Sequence, residues 1–498
     1  MTQINTNVSS MLAQRVLHQQ NQSLNQSLER LSTGLRINRG GDDPAGLIAS
    51  ENLRSEQAAL TAAIGNAERA DQVVNVAEGG LQEVNAMLLE LQSLVGESAN
   101  DAGLSTEEKE ANQQQIDAIL QSIDRIASTT SFQGTKLLNG SFDFQVEDVA
   151  ASVTDLKIHG AKLGGNDMDI NAVIDQSAQQ AGLYVDFGSA NIELASGEDT
   201  FAIEIGGREG SQLFHFADGQ SLADAAAQIN SFTGVTGVSA AVNSNGLELR
   251  ADEFGSQHFV SVNIVDDGGI DGDVYRFEED NANAVDGDSD VGFGDMTGSI
   301  QASGQDVGGS INGMTIRGDG LDMHVNGDIL NASISLDAAT AGDTGTVSVG
   351  TITGGGAQFN LGPSVDMNNE VRLGIGNIAA RNLGNASAGF LDALGSGKEA
   401  NVIDGDLSKA QDVINTAISQ VSSLRGRLGS FQSNVVQSTI NSLGVTLENV
   451  SAAESAIRDT DFAAETAEMT RAQILAQAAA NTLGLANAQP QSVLQLLG

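Results

Sequence analysis

Apolar residues recur at alternating intervals of three and four near both ends of this chain, and at intervals of two through its middle. Val74, Ala77, Leu81, Val84, Leu88, Leu91 and Val95 form the clearest run. Leu60, Ile64 and Ala67 extend it backwards, interrupted only by Asp71. Ile116, Ile119, Ile123 and Ile126 repeat the pattern, and Ala417, Val421, Leu424, Leu428, Phe431 and Val435 resume it near the other end. Steps of three and four average 3.5 residues, the period that keeps one seam of a helix turned toward a partner helix. A helix over residues 58–97 would be a rod of roughly 60 Å at about 1.5 Å per residue. An ordinary bundle of long helices is the alternative reading of the same heptads.

Outside this stem lie two narrower stripes. At the start they are Ile4, Val8, Met11, Leu24, Leu28, Leu31 and Leu35; at the end, Ile474, Leu475, Val493, Leu494 and Leu497. Each arm is about 40 residues of helix with too little apolar surface to be stable alone in water. Both are therefore expected to order on assembly. The first arm stops at Asn38-Arg39-Gly40-Gly41-Asp42-Asp43-Pro44. Paired glycines release the helix, Asp42 or Asp43 can cap the next one, and Pro44 suits its first turn.

The middle is written in a different period. Phe201-Ala202-Ile203-Glu204-Ile205 and Val260-Ser261-Val262-Asn263-Ile264 alternate as half-buried strands do. Residues 238–242 and 247–249 flank Asn243-Ser244-Asn245-Gly246 and read as a hairpin, and Ser221 opens a short helix to Ile229. Residues 266–350 are the richest in Gly and Asp and read as a second lobe or a loop system. The expected fold class is α+β and multidomain: long coiled-coil-like helices from both termini form a stem, with β-rich variable domains inserted in the middle. The boundaries that follow are an N-terminal arm over 1–44, a helical stem over 45–145 and a β-rich outer region over 146–360. That region divides into lobes at about 165–265 and 266–350. A second helical stem follows over 361–457 and a C-terminal arm over 458–498.

Charge sharpens the division. The net charge is −42, and residues 151–365 hold 32 acids against 6 bases, or −26 of it. Such a field argues against nucleic acid or an anionic membrane as a partner and suits a solvent-facing surface. No apolar run approaches the roughly 20 residues of a membrane span, so no membrane insertion is expected. The opening residues have neither a basic nor an apolar stretch, so a cleavable signal peptide is not expected. Cys is absent, which removes thiolate and disulfide chemistry. Only three Pro interrupt the chain, so long helices can run on.

Enzymatic constellations fail, and neither a catalytic residue nor a cofactor is expected. His18, His159, His215, His258 and His324 stand apart, with no pair at the spacing of a zinc helix. Gly397-Lys398 is followed by Glu399 where a phosphate loop needs Ser or Thr, and there is no nucleophile elbow. The weak metal candidate is Asp286, Asp288 and Asp290, which begin like a calcium loop. Val291 stands where that loop needs Gly, so a solvated acidic loop is the plainer reading.

Several motifs resemble one family. Leu31-Ser32-Thr33-Gly34-Leu35-Arg36-Ile37-Asn38 with Gly41-Asp42-Asp43-Pro44-Ala45-Gly46 is similar to the N-terminal signature of bacterial flagellins. Ser131-Phe132-Gln133-Gly134-Thr135-Lys136-Leu137-Leu138-Asn139-Gly140, Phe359-Asn360-Leu361-Gly362-Pro363, Arg458-Asp459-Thr460-Asp461-Phe462-Ala463, Ala472-Gln473-Ile474-Leu475 and Pro490-Gln491-Ser492-Val493-Leu494 resemble that family's later motifs in the right order. Residues 214–262 are similar to a small insert module found in some flagellins. The resemblance implies a structural subunit, exported and extracellular, that self-assembles as a helical homopolymer into the flagellar filament used for motility. It further implies the flagellar export apparatus, an export chaperone on the C-terminal arm, and hook-associated junction and cap proteins as partners. A hook-associated junction protein is the alternative, and an unrelated coiled-coil surface adhesin a more distant one. Flagellins seen by Toll-like receptor 5 present a helix patch that corresponds to residues 89–97. Glu90 falls where the family has Arg and Glu97 where it has Gln, while Leu94 is kept, so weak receptor recognition is expected. An ordinary solvent-facing helix surface is the competing account of those residues.

Overall fold

The computed structural model describes residues 6–100, 103–196, 200–278, 281–285, 291–296, 298–327, 329–385 and 388–497. Its long helices are α1 (Val8–Thr33), α2 (Pro44–Ser98) and α3 (Thr106–Thr129), then the short α4 (Leu222–Asn230), then α5 (Leu407–Ser430), α6 (Gln437–Arg458) and α7 (Phe462–Leu497). The chain divides into two compact units, one from residues 1–72, 359–369 and 430–498, the other from 73–358 and 370–429.

In the first unit α1 and α7 lie antiparallel. Asn7 Nδ2 donates to the Ala486 carbonyl at 2.8 Å and Ser10 Oγ to Asn487 Oδ1 at 2.7 Å, while Arg30 meets Glu465 at 3.5 Å at the other end. Asn7 caps α1 by accepting from Ser10 N–H, and Asp461 caps α7 by accepting from Ala463 and Ala464 N–H. Gly34 ends α1 at φ 75°, a left-handed conformation that costs glycine little. Past it the two chain ends are tied by short backbone bonds, Thr460 N–H to Gly34 O at 2.9 Å and Arg36 N–H to Arg458 O at 2.7 Å. Asp43 is the residue that caps α2, accepting from Gly46 N–H. Asp42 instead ties its own loop, accepting from Asn38 and Arg39 N–H; the Arg39 bond, foremost, holds its carboxyl below the usual range.

In the second unit residues 73–98 of α2 run antiparallel to α5 and pack with α3. Val74, Ala77, Leu81, Val84, Leu88, Leu91 and Val95 are all buried, as are Ile116, Ile119 and Ile123 of α3 and Ala417, Val421, Leu424 and Leu428 of α5. Arg425 pairs with Glu78 at 2.8 Å and Gln92 donates to Asn415 at 3.0 Å, which fixes the register. A capping box of Ser105 and Glu108 starts α3.

The seam changes phase after Phe431. Residues Phe431–Val436 form a π turn in which Gln437 N–H reaches back five residues to Gln432 O. The wider turn admits one extra residue, so Val436 is buried and Val435 only half-buried. The seam expected at Val435 is therefore displaced by one position.

The β region is nested rather than sequential, which corrects the expected division at 265/266. One core is built from Phe144, Ile158, Ile170, Ile174, then from Ile311, Met323, Ile334 and Ile352. It lies between a five-stranded sheet containing Met168–Gln176 and Gly345–Gly355 and a four-stranded sheet of Arg317–Asp319, Asp322–Asn326, Leu330–Leu336 and Val153–Ala161. The second core lies wholly between these contributions, from Ala181 to Phe293. Phe187, Phe201, Phe214, Phe216 and Phe293 dominate it, with α4 packed alongside; Ser221 caps α4. The neck includes a pair of reciprocal backbone bonds between Gln179 and Gln305, each 2.9 Å, and a bond from Ser256 N–H to Asp306 Oδ1 at 2.9 Å. The 238–249 hairpin pairs Val238–Asn243 with Gly246–Phe254. A single chain excursion closes its own core before the enclosing one is completed, and composition along the sequence does not register that closure.

Candidate assembly surface

The arms meet through small side chains. Among the residues whose side chains are described, Ser10, Ala13 and Ser27 of α1 and Ala472, Ala479 and Ala486 of α7 are the buried positions of the pair. The three alanines are seven residues apart, so they fall on one line of the helix and let the two backbones approach closely. The larger apolar side chains point elsewhere. Val8 is 68% exposed, Met11 62%, Ile474 64% and Leu485 72%. Leu12, Val16, Leu28 and Leu475 are exposed too, while Leu24, Leu31 and Leu35 are half-buried. A groove of about 520 Å³ runs between the arms, with Leu12, Val16, Leu475 and Leu485 on its walls.

Sequence reasoning found the large residues of these stripes and missed the alanine line, because alanine is too common in helices to register as a seam. It also missed Leu12, Val16 and Leu485. Ile4 lies outside the described residues, and so do the acidic candidates Asp286, Asp288 and Asp290. Val493, Leu494 and Leu497 fall within α7, whose backbone continues through them. Among the described residues no group of three or more His, Cys, Asp or Glu side chains is arranged to hold a metal. Among them, too, no helix is long and apolar enough to cross a membrane.

α6 repeats the theme of the arms. None of its residues is buried, and Val445 is exposed. Polar groups in this unit are likewise incompletely matched: Arg30 Nε, Arg458 Nε, Gln57 Nε2 and Glu465 Oε1 are shielded yet make no hydrogen bond. Unpaired shielded polar atoms carry a desolvation cost that a further contact can relieve.

The patch at residues 89–97 is only partly a surface. Glu90 and Glu97 are exposed, accepting from Gln115 and Ser93 respectively. Leu94 is buried on the inward stripe, which corrects its expected place in an outward patch; Leu89 is the exposed leucine there.

Residues 4–143 match the bacterial flagellin N-terminal helical region and residues 411–497 the C-terminal helical region. Residues 200–253, inside the second β core, match the flagellin hook IN motif. The B-type flagellin of Pseudomonas aeruginosa is 30% identical over 99% of both chains, and flagellin B of Helicobacter pylori is 29% identical over 99% of both. Among solved structures, FliC from Burkholderia pseudomallei gives a TM-score of 0.22 at 15% identity, covering 74% of this chain and 99% of that one.

Proposed function

The chain belongs to the bacterial flagellin family, a family of structural filament subunits, and from that premise we propose that α1 and α7 form the surface through which copies join. The observation that carries this is the division of labour on the arms. Alanines close the pair internally, while Val8, Met11, Ile474 and Leu485 face outward on two helices that share little core. Contiguous exposed apolar surface marks an interaction site. The likeness to flagellins spans the whole chain and favours the filament over a hook-associated junction role.

Export through the flagellar apparatus, a chaperone that shields α7 before assembly, and seating against junction and cap proteins complete the proposal. Each draws support from the same exposed stripe, which needs cover until a neighbour supplies it. Recognition by Toll-like receptor 5 is proposed to be weak. Glu90 and Glu97 place two negative charges on the corresponding helix face, and Leu94 is turned inward.

Truncations at 1–33 or 462–498 test the assembly role. Both leave the Gly34–Thr460 and Arg36–Arg458 bonds intact. The expected result is a folded, soluble chain that forms no filament by electron microscopy or light scattering. Filaments from either truncated chain would remove α1 and α7 from the assembly surface.

A further inference from the structure

A second concavity, of about 570 Å³, lies within the other unit, far in character from the apolar arms. One wall is strand Val153–Ala161, a second is α5, and the third is the chain from Gly374 to Phe390. The walls are fastened together by hydrogen bonds. Gln420 on α5 accepts from Gly384 N–H at 2.9 Å and donates to Gly384 O at 2.7 Å, and Gly374 N–H donates to His159 O at 3.0 Å.

Arg427 stands on the α5 wall, and its situation is anomalous. Acids outnumber Lys and Arg by 65 to 23 in this chain, yet Nε and Nη1 of this guanidinium are shielded and bonded to nothing. Nη2 only reaches the Gly374 carbonyl at 3.5 Å, the limit of a hydrogen bond. Burial draws its pKa down to about 10, the mark of a charge that has lost its water without gaining an anion. The surrounding charge is mixed but leaves the cation unmatched. Lys157 is engaged by Asp155, its neighbour two residues back on the same strand. Asp143 is the carboxyl whose field reaches Arg427, but burial raises its pKa and its Oδ1 already accepts from Phe144 N–H. His159 is held neutral, its pKa pushed down to about 3 chiefly by burial and then by the fields of Arg427, Lys157 and His324. The remaining lining is rich in hydrogen-bonding groups, including Ser419, Ser423 and Asn377.

We propose that this groove is a binding site for a small tetrahedral oxyanion of the phosphate or sulfate type, seated against the Arg427 guanidinium. A guanidinium charge left without an anion of its own attracts such oxygens, and charge-assisted contacts are the strong ones. Ser419, Ser423, Asn377 and His159, each able to donate a hydrogen bond, line the same groove.

Histidine-labelled full-length chain, kept below its polymerisation threshold at pH 7, is titrated with phosphate while sodium chloride holds the ionic strength constant. The His159 ring signal is expected to move saturably. Arg427→Gln should weaken the apparent affinity by about tenfold or more, the equivalent of one charge-assisted bond. Asp143→Asn, which removes the competing carboxylate, should tighten it. A shift that does not saturate, or that chloride alone reproduces, would overturn the proposal, as would equal affinity in a folded Arg427→Gln chain. Should Arg427→Gln lose the dispersed histidine signals of the fold, Asp143→Asn decides, and unchanged or weakened affinity there overturns the site.

Discussion

The helical arms and the Phe-rich β core spend their apolar residues in opposite ways. In the β core Phe201, Phe214 and Phe216 are fully enclosed, with the rings of Phe201 and Phe214 each 6.4 Å from that of Phe216. In the arms the enclosed residues are alanine and serine, while valine, methionine, isoleucine and leucine face outward. A long apolar stripe therefore has two meanings in one chain. Where it can close on itself it makes a domain; where it cannot, it leaves an exposed surface, which we propose another copy completes.

The sharpest way to break this contrast is to exchange the expected penalties. Phe214→Ala empties a fully packed site and should cost about 3–5 kcal/mol of stability in the β core. Calorimetry should show a lowered transition for that core, while filaments still form. Excising residues 181–303 behind the Gln179–Gln305 neck is the extreme case: those backbone bonds and the buried residues of the enclosing core remain, while Phe254, packed against that core, and the Ser256–Asp306 bonds are lost. If the excised chain folds but no longer assembles, the second core contributes to the lattice and the contrast fails.

The arms should answer in reverse. Ile474→Ser and Leu485→Ser lie on exposed positions and should change monomer stability by no more than about 0.5 kcal/mol. A neighbour that buries such a side chain gains about 1.5–3 kcal/mol, so each change should raise the critical concentration by roughly tenfold or more. Sedimentation of polymer from monomer measures it. A lowered melting temperature with an unchanged critical concentration would mean that these residues serve the monomer.

Heptads were legible because a repeating apolar period is a property of the chain alone. Val74 to Val95 and Ala417 to Leu428 need only a partner on one side, and they are buried as that period requires. Legibility ended where geometry depends on what packs opposite. The π turn moves the core from Val435 to Val436, and no residue in Phe431–Val436 announces it. Leu94 belongs to the inward stripe although its flanking glutamates read as surface. The nested cores escaped because the strands of one are interrupted by the whole of the other, and local alternation carries no record of order in space. Arg427 escaped for the same reason: a helix arginine is ordinary until the third wall closes over it.

Acid tests the β region at a different point. His159 carries a pKa lowered to about 3, chiefly by burial and then by Arg427, Lys157 and His324. The folded state thus binds fewer protons than the unfolded one between pH 6.5 and about 3. Stability from this group is complete above pH 6.5 and is lost as pH falls through that window. His159 is partly exposed, so the effect should be a kcal/mol or two at most. His159→Gln should flatten the acid side of the melting curve, and an unchanged slope would exclude His159 as its source.

The smallest expected effect is salt on assembly. Each copy carries −26 on residues 151–365, and such segments of neighbouring copies repel within about a Debye length, roughly 8 Å at physiological ionic strength. Apolar contacts through Val8, Met11, Ile474 and Leu485 strengthen with excluded salts such as sulfate. Ion pairs pull the other way. Arg30–Glu465 and Arg458–Glu51 join elements of the first unit at 3.5 and 3.2 Å, but both lie within one chain, so salt weakens contacts between copies through them only indirectly. Repulsion and burial together outweigh them, so the critical concentration should fall by a few-fold from low to high salt. Light scattering of seeded monomer across chloride and sulfate series reads both terms separately. A fall in sulfate alone would assign the effect to apolar burial, and an equal fall in chloride to screening. A critical concentration that rises in both would show that ion pairs, not the outward stripes of α1 and α7, hold the copies together.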